Sequence, residues 1–303
     1  MLPLVYHPNY SCPFPDDHRF VMSKFVRLYE YLHAQGLVTP DNLHQPMLAS
    51  IDDLAIVHQA QYLNELFHNT MEPRAWRRIG LPWSRGLVER TFTAPNGTLL
   101  AARLAIQHGL ASHLAGGTHH AHFDFGSGFC LINDLAYTAK TLLASGEVKR
   151  VLIFDCDVHQ GDGTAAMLKD EPRAFTCSIH CEKNFPFRKH PSDLDVGLDK
   201  HLKDADYLTV VKRTLNQLLD EQQPDLVLYD AGVDIWQYDE LGHLDISWDA
   251  VATRDELVLQ ECLSRHVPVA TVIGGGYDKD HARLAQRHAA VVEVACDLYQ
   301  QYC

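Results

Sequence analysis

Basic residues are scarce in this 303-residue chain. Lysine and arginine number 26 against 39 aspartates and glutamates, a net charge of −13 with histidine neutral. Proteins that wrap nucleic acid place clustered lysines and arginines against phosphate, so this balance argues against direct nucleic-acid binding. The densest basic cluster, Arg74, Arg77 and Arg78, reads as a solvated helix face. No apolar run approaches the ~18 residues of a membrane span. The opening MLPLVYHPNY has neither a basic region nor a long apolar one, so no signal peptide is expected. The eight cysteines form no CxxC pair. Cys177 and Cys181 flank His180, but no second pair completes a four-ligand zinc knuckle. Scattered free thiols suit a reducing compartment, and a cytoplasmic location is expected. A glycine repeat is missing, which excludes a collagen-like chain, and 46% apolar residues exclude disorder. Histidine is abundant instead: there are 19, where equal use of all residue types would give about 15.

The elements alternate. Leu2–Tyr6 reads as a strand and Met22–His33 as a helix, with Phe25, Leu28, Tyr29 and Leu32 at helical spacing. Short helices are expected at Ile51–His58 and Tyr62–Phe67. Met71–Thr91, rich in Arg, Trp, Pro and Gly, reads as an irregular excursion before a helix from about Asn96 to His108. Leu114–Thr118 leads into a histidine pair. Helices follow at Asn133–Ala144, just after Gly163, at Ala205–Leu219, at Trp248–Ser264 and at His281–Tyr299. Between them lie strands Val151–Phe154, Phe175–Ile179, Leu226–Tyr229 and Val267–Ile273. This rhythm predicts an α/β fold with one open parallel β-sheet covered by helices on both faces. A single domain spanning 1–303 is expected. Lys183–Lys203, charged and holding Pro186 and Pro191, is the one candidate mobile stretch.

The most informative string is Val151–Thr164, VLIFDCDVHQGDGT. Residues two apart on a strand face the same side, so Asp157 and His159 can face one point beyond the strand end. A carboxylate and an imidazole there form part of a metal site. Open α/β sheets place their sites at that edge. A third ligand must come from another strand, and Asp230 or Asp234 after Leu226–Tyr229 could supply it. In AGGTHHAHFD (Ala115–Asp124), Gly116 and Gly117 permit a sharp turn that lets both His119 and His120 face a cleft. Two imidazoles there could act as base and acid, oriented by the remaining carboxylates Asp155 and Asp162. IGGGY (Ile273–Tyr277) lets the backbone at Gly275 approach a ligand and brings the Tyr277 phenol to the edge of the site. Ser127-Gly128-Phe129 brings an aromatic wall to the cleft.

Together these strings resemble the histone deacetylase family of the arginase–deacetylase superfamily. The matching stretches are AGGTHHA (Ala115–Ala121), GSGFCLIND (Gly126–Asp134), FDCDVHQGDGT (Phe154–Thr164), AGVD (Ala231–Asp234) and GGGY (Gly274–Tyr277), in the family's order. The resemblance implies an arginase/deacetylase fold and a zinc-dependent hydrolase of linear amides, with Fe²⁺ as the other candidate metal. It implies Asp157, His159 and Asp234 as metal ligands, and His119 and His120 as acid/base histidines paired with Asp155 and Asp162. Tyr277 would polarise the substrate carbonyl. Gly128 and Phe129 would line an acyl-lysine channel, with Gly275 at its base and Phe185 or Phe187 opposite. A structural potassium is implied near Asp155, Asp157, His159 and Ser178. Gln160 stands where many relatives carry a second histidine. The expected substrate is an acylated lysine of a protein or peptide. The alternatives are small acetylated amines such as polyamines, or a non-catalytic acyl-lysine scaffold.

Overall fold

A computed structural model describes residues 1–303. Its strands are β1 (Leu4–Val5), β2 (Leu43–His44), β3 (Leu110–His113), β4 (Val151–Asp155), β5 (Ala174–Cys181), β6 (Leu194–Leu198), β7 (Leu226–Asp230) and β8 (Val269–Val272). They join one sheet in the order β2-β1-β3-β8-β7-β4-β5-β6. Every pairing is parallel. β4 (VLIFD), β7 (LVLYD) and β8 (VATV) are buried at every residue. Continuous apolar runs of this kind belong to a parallel sheet covered on both faces.

The helices are α1 (Lys24–Ala34), α2 (Ile51–Leu54), α3 (Ala60–His68), α4 (Pro73–Ile79), α5 (Arg85–His108), α6 (Asp134–Ser145), α7 (Asp162–Leu168), α8 (Asp204–Gln222), α9 (Trp248–Ser264) and α10 (His281–Tyr302). They pack in two series, α5–α6–α7 and α1–α10–α9–α8. None is long and apolar enough to cross a membrane. Several start on side-chain caps that satisfy free amide donors: Asn133 accepts from Ala136 N, Ser247 from Ala250 N, and Asp280 from Ala282 N and Arg283 N.

One expectation fails, and two strands lie where the sequence did not announce them. Met71–Thr91 is not irregular: it holds α4 and the first turns of α5, which starts on the Ser84 cap eleven residues before Asn96 and runs through Pro95. Proline and glycine there look like a helix start, but tertiary packing overrides propensity. Most of α5 is buried, and a side chain at Gly97 would collide with the Tyr10 hydroxyl and the His113 ring. Lys183–Lys203 is not a plain loop. It contains β6, an edge strand whose exposed Asp195 alternates with the inward Leu194, Val196 and Leu198. Charge on an edge strand blocks pairing with other chains, so it hides the strand from a composition-based reading. The strand before the histidine pair is Leu110–His113, ending where Leu114–Thr118 begins. The two-residue β2 has no sequence signal.

Candidate active site

Four adjacent strands, β3, β8, β7 and β4, send their C-terminal loops to one point. The loop after β4 carries Asp157, His159 and Asp162, and that after β7 carries Asp234. The loop after β3 carries His119 and His120, and that after β8 carries Gly275 and Tyr277. Site chemistry at this edge follows from parallel strands all ending there.

Asp157, His159 and Asp234 each offer one ligand atom, all within 4.8 Å of one another, and all three are buried. His159 Nδ1 lies 3.0 Å from Asp157 Oδ1 and 3.1 Å from Asp234 Oδ2. Ligand atoms tetrahedrally bound at zinc distances stand about 3.3 Å apart. Backbone amides anchor both carboxylates: Gly275 N donates to Asp157 Oδ2 at 2.7 Å, and Val158 N to Asp234 Oδ1 at 2.9 Å. Asp234 Oδ2 is buried without a hydrogen-bond partner. Burying an unpaired carboxylate oxygen is costly, so this atom fits a cation. Two carboxylates and an imidazole form a three-ligand set that leaves a position open, as catalytic sites do. Of the two aspartates after β7, Asp234 groups with Asp157 and His159, while Asp230, with both oxygens buried and unpartnered, groups with His119 and Asp155 in a second cluster that could hold a cation.

Gly116 and Gly117 both have positive φ and turn the chain sharply. His119 and His120 then meet, with their Nε2 atoms 3.1 Å apart. Nδ1 of His119 contacts Asp155 Oδ2 at 2.7 Å, and Nδ1 of His120 contacts Asp162 Oδ1 at 2.6 Å. Asp155 also accepts from Asp157 N, and Asp162 also contacts His122 Nε2 at 2.9 Å. The pair is electrostatically split. Burial opposes charge on His119, but Asp155 and Asp157 outweigh it and hold the pKa well above that of a free imidazole. Burial and then the charge of His119 push His120 down to about 4, against the pull of Asp162. Tyr277 is buried, and burial followed by Asp157 and Asp234 raises its pKa, so it stays a phenol and a donor.

A cavity of about 370 Å³ leads to this floor, lined by His120, Gly128, Phe129, His159, Phe185 and Tyr277, with Arg78, Asn184, Glu240 and His243 nearer the mouth. A larger depression of about 520 Å³ lies against residues 6–26, but no converging buried acids and imidazoles reach it. Gly128 has positive φ, and a Cβ there would lie 2.6 Å from the His120 ring and 2.8 Å from Phe185. Phe185 stands edge-on to His120, with ring centres 4.8 Å apart. Phe129 packs 5.8 Å from Tyr277. Of the two expected opposite walls, only Phe185 lines the cavity. Phe187 is 98% exposed and is corrected to a surface residue: two positions on, the chain has already left the channel. Ser178 is buried on β5 beside Asp155 in register, with its Oγ 3.0 Å from His180 Nδ1. His180 therefore faces Ser178 and not the metal ligands. Cys177 and Cys181 join no metal-binding group, and all eight cysteines are free.

Comparison with known proteins agrees with this geometry. Residues 18–294 match the histone deacetylase domain. The chain belongs to the histone deacetylase family. It is 48% identical over 297 residues to an uncharacterized protein of Picosynechococcus, covering 98% of this chain and 99% of that one. It is 30% identical to histone deacetylase 2 of Arabidopsis thaliana, over 93% of this chain and 76% of the relative. The acetoin utilization protein AcuC of Staphylococcus aureus is also 30% identical, over 77% of this chain and 65% of AcuC. An HDAC homolog complexed with SAHA superposes with a TM-score of 0.78, covering 97% of this chain and 84% of the homolog, at 23% identity. The fold is thus the arginase/deacetylase fold, and the family's chemistry is metal-dependent deacetylation of acetylated substrates.

Several residues that support this site were not singled out from the sequence. Asn133 Nδ2 donates to Ala121 O at 3.1 Å, and Asp134 accepts from Thr118 N at 2.7 Å, so the start of α6 fastens the histidine loop. Asp239 accepts from Tyr277 N at 2.8 Å and from Leu241 N at 2.9 Å, with Arg287 3.3 Å behind it. Lys24 and Arg90 are buried at the back wall of a small chamber of about 30 Å³ beneath the histidines and Tyr277. Lone charged residues on helices gave no hint of this placement. Asn133 and Asp134 did have a signal, as candidate helix starts at the end of GSGFCLIND.

Proposed function

We propose that this protein is a zinc- or Fe²⁺-dependent amidohydrolase that removes acetyl or other acyl groups from lysine side chains of proteins or peptides. One observation carries the reading: the three-ligand set, the two His–Asp pairs and a protonated phenol converge at the closed end of one aromatic-walled cavity. Asp157, His159 and Asp234 hold the metal. When bound, such an ion supplies a Lewis acid for the amide carbonyl and lowers the pKa of water. Phe129 and Phe185 flank the apolar stem of the acylated side chain, while Gly128 leaves room for it. His120, kept neutral, takes the proton of the attacking water. The Tyr277 hydroxyl donates to the carbonyl oxygen as negative charge develops there. His119, held protonated by Asp155, supplies the positive charge and proton that the departing amine requires. Asp155 and Asp162 keep the two rings in their tautomers. A potassium ion beside Asp155, Asp157, His159 and Ser178 would brace the same loop. The free thiols suit the cytoplasm.

The test is metal analysis of the purified protein, with hydrolysis of acyl-lysine peptides and acetylpolyamines measured in parallel. Bound zinc or iron with preference for acyl-lysine peptides is expected. Preference for acetylpolyamines would move the substrate to small amines, and no metal with no hydrolysis of either would leave a scaffold.

A further inference from the structure

We infer that Arg254, on α9, is a positioning residue for the metal ligands. Its guanidinium ties together the two loops that carry them. The inference rests on the assignment of Asp157, His159 and Asp234 as the metal site.

Arg254 has no exposed surface. Nη1 donates to Gly232 O at 2.7 Å and to Cys156 O at 3.4 Å, and Nη2 donates to Ala231 O at 3.2 Å. Cys156 directly precedes Asp157, and Gly232 lies two residues before Asp234. The loops also touch, because a Cβ on Gly232 would lie 2.7 Å from the Asp157 Cα. Arg254 Nε donates to Asp255 Oδ1 at 3.0 Å, and the Tyr229 hydroxyl donates to the same oxygen at 2.6 Å. Tyr229 lies on β7, so the fork is itself held against the strand that leads to Asp234. Carbonyls at the ends of buried strands need donors, and no water is needed here because one planar group serves three of them. The carboxylate that pairs with this buried charge is Asp255, whose Oδ1 lies 2.9 Å from Arg254 Nη2. Lysine cannot replace this arrangement. Its donors radiate from one atom, and it cannot bridge both loops and Asp255 in one plane.

The experiment is zinc titration of chelator-stripped protein against a competing chromogenic chelator, with melting of the metal-free proteins alongside. The variants are Arg254→Lys, the charge-neutral double variant Arg254→Met/Asp255→Asn, and Asp157→Asn as the ligand control. Arg254→Lys should weaken zinc binding by about 10- to 100-fold, more than its fall in metal-free melting temperature accounts for. The double variant should bind no more tightly than Arg254→Lys. Parent-like zinc affinity in both Arg254 variants would overturn the inference, as would a loss of affinity no larger than the loss of metal-free stability predicts. If Asp157→Asn loses zinc and the Arg254 variants do not, only the positioning role falls. If Asp157→Asn binds zinc as the parent does, the metal-site assignment falls and takes the positioning role with it.

Discussion

The floor and the mouth of the cavity are built on different physical terms. At the floor the polar groups are buried, and most are fixed by hydrogen bonds to backbone or carboxylate. Asp157 and Asp234 are fixed by backbone amides, and His119 and His120 by carboxylates that are themselves hydrogen-bonded. At the mouth, Phe185 is 40% exposed, Arg78 lies over the Phe125 ring, and Glu240 lies 3.8 Å from the exposed Lys279. Interactions at the floor act in a low-dielectric setting and depend on tenths of an ångström. Those at the mouth are screened and replaceable. Chemistry should therefore be sensitive to conservative changes at the floor, and substrate affinity only mildly sensitive to larger ones at the rim.

The sharpest way to break this contrast is Tyr277→Phe. Removing one oxygen leaves Asp157, His159 and Asp234, the proposed metal ligands, untouched and should lower kcat by about 10²- to 10³-fold, with bound metal unchanged. Turnover near that of the parent would remove the phenol from the chemistry and reduce the floor to its metal site. Truncation at the rim should do far less. Phe185→Ala should raise KM about fivefold, on the order of 1 kcal/mol of lost apolar contact, with kcat little altered. Phe187→Ala, outside the cavity, should change neither constant. Equal effects of the two truncations would mean that substrate reaches beyond the channel described.

A prediction on stability and not on turnover concerns the support beneath the floor. His58 is buried, and its Nε2 accepts from Asn133 N at 2.9 Å, which requires a neutral ring. Burial lowers its pKa from 6.5 to about 4. Between those values the unfolded chain takes up a proton that the folded chain refuses, so stability rises with pH across this window. The contribution is fully present above pH 6.5 and is lost as pH falls toward about 4, on the order of 3 kcal/mol at most. Denaturant unfolding from pH 7 to pH 4 should be steeper in pH for the parent than for His58→Gln. Parallel curves would assign the acid sensitivity elsewhere.

Much of the floor was legible without coordinates because its ligands sit in contiguous strings. Period-two alternation after a buried strand places Asp157 and His159 together within three residues, and the glycine pair announces the turn before His119. The mouth was less legible. Phe185 and Phe187 differ by two positions in one string, and only the path of the chain separates a wall from a surface ring. The same holds for α5, whose start was hidden by Pro95 and Gly97 because burial against Tyr10 and His113 outweighs their helix-breaking tendency. The edge strand β6 was hidden by its own protective charge.

The sequence by itself determined the α/β class, much of the strand and helix order, and the family to which the chain belongs. These follow from local periodicity and short-range spacing. Only tertiary structure set Asp230 beside His119 and Asp155, gave the two histidines opposite tendencies to hold a proton, and laid Arg254 and Asp239 against the loops from far along the chain. Those choices depend on distances and burial between segments up to a hundred residues apart, which spacing along the chain does not encode.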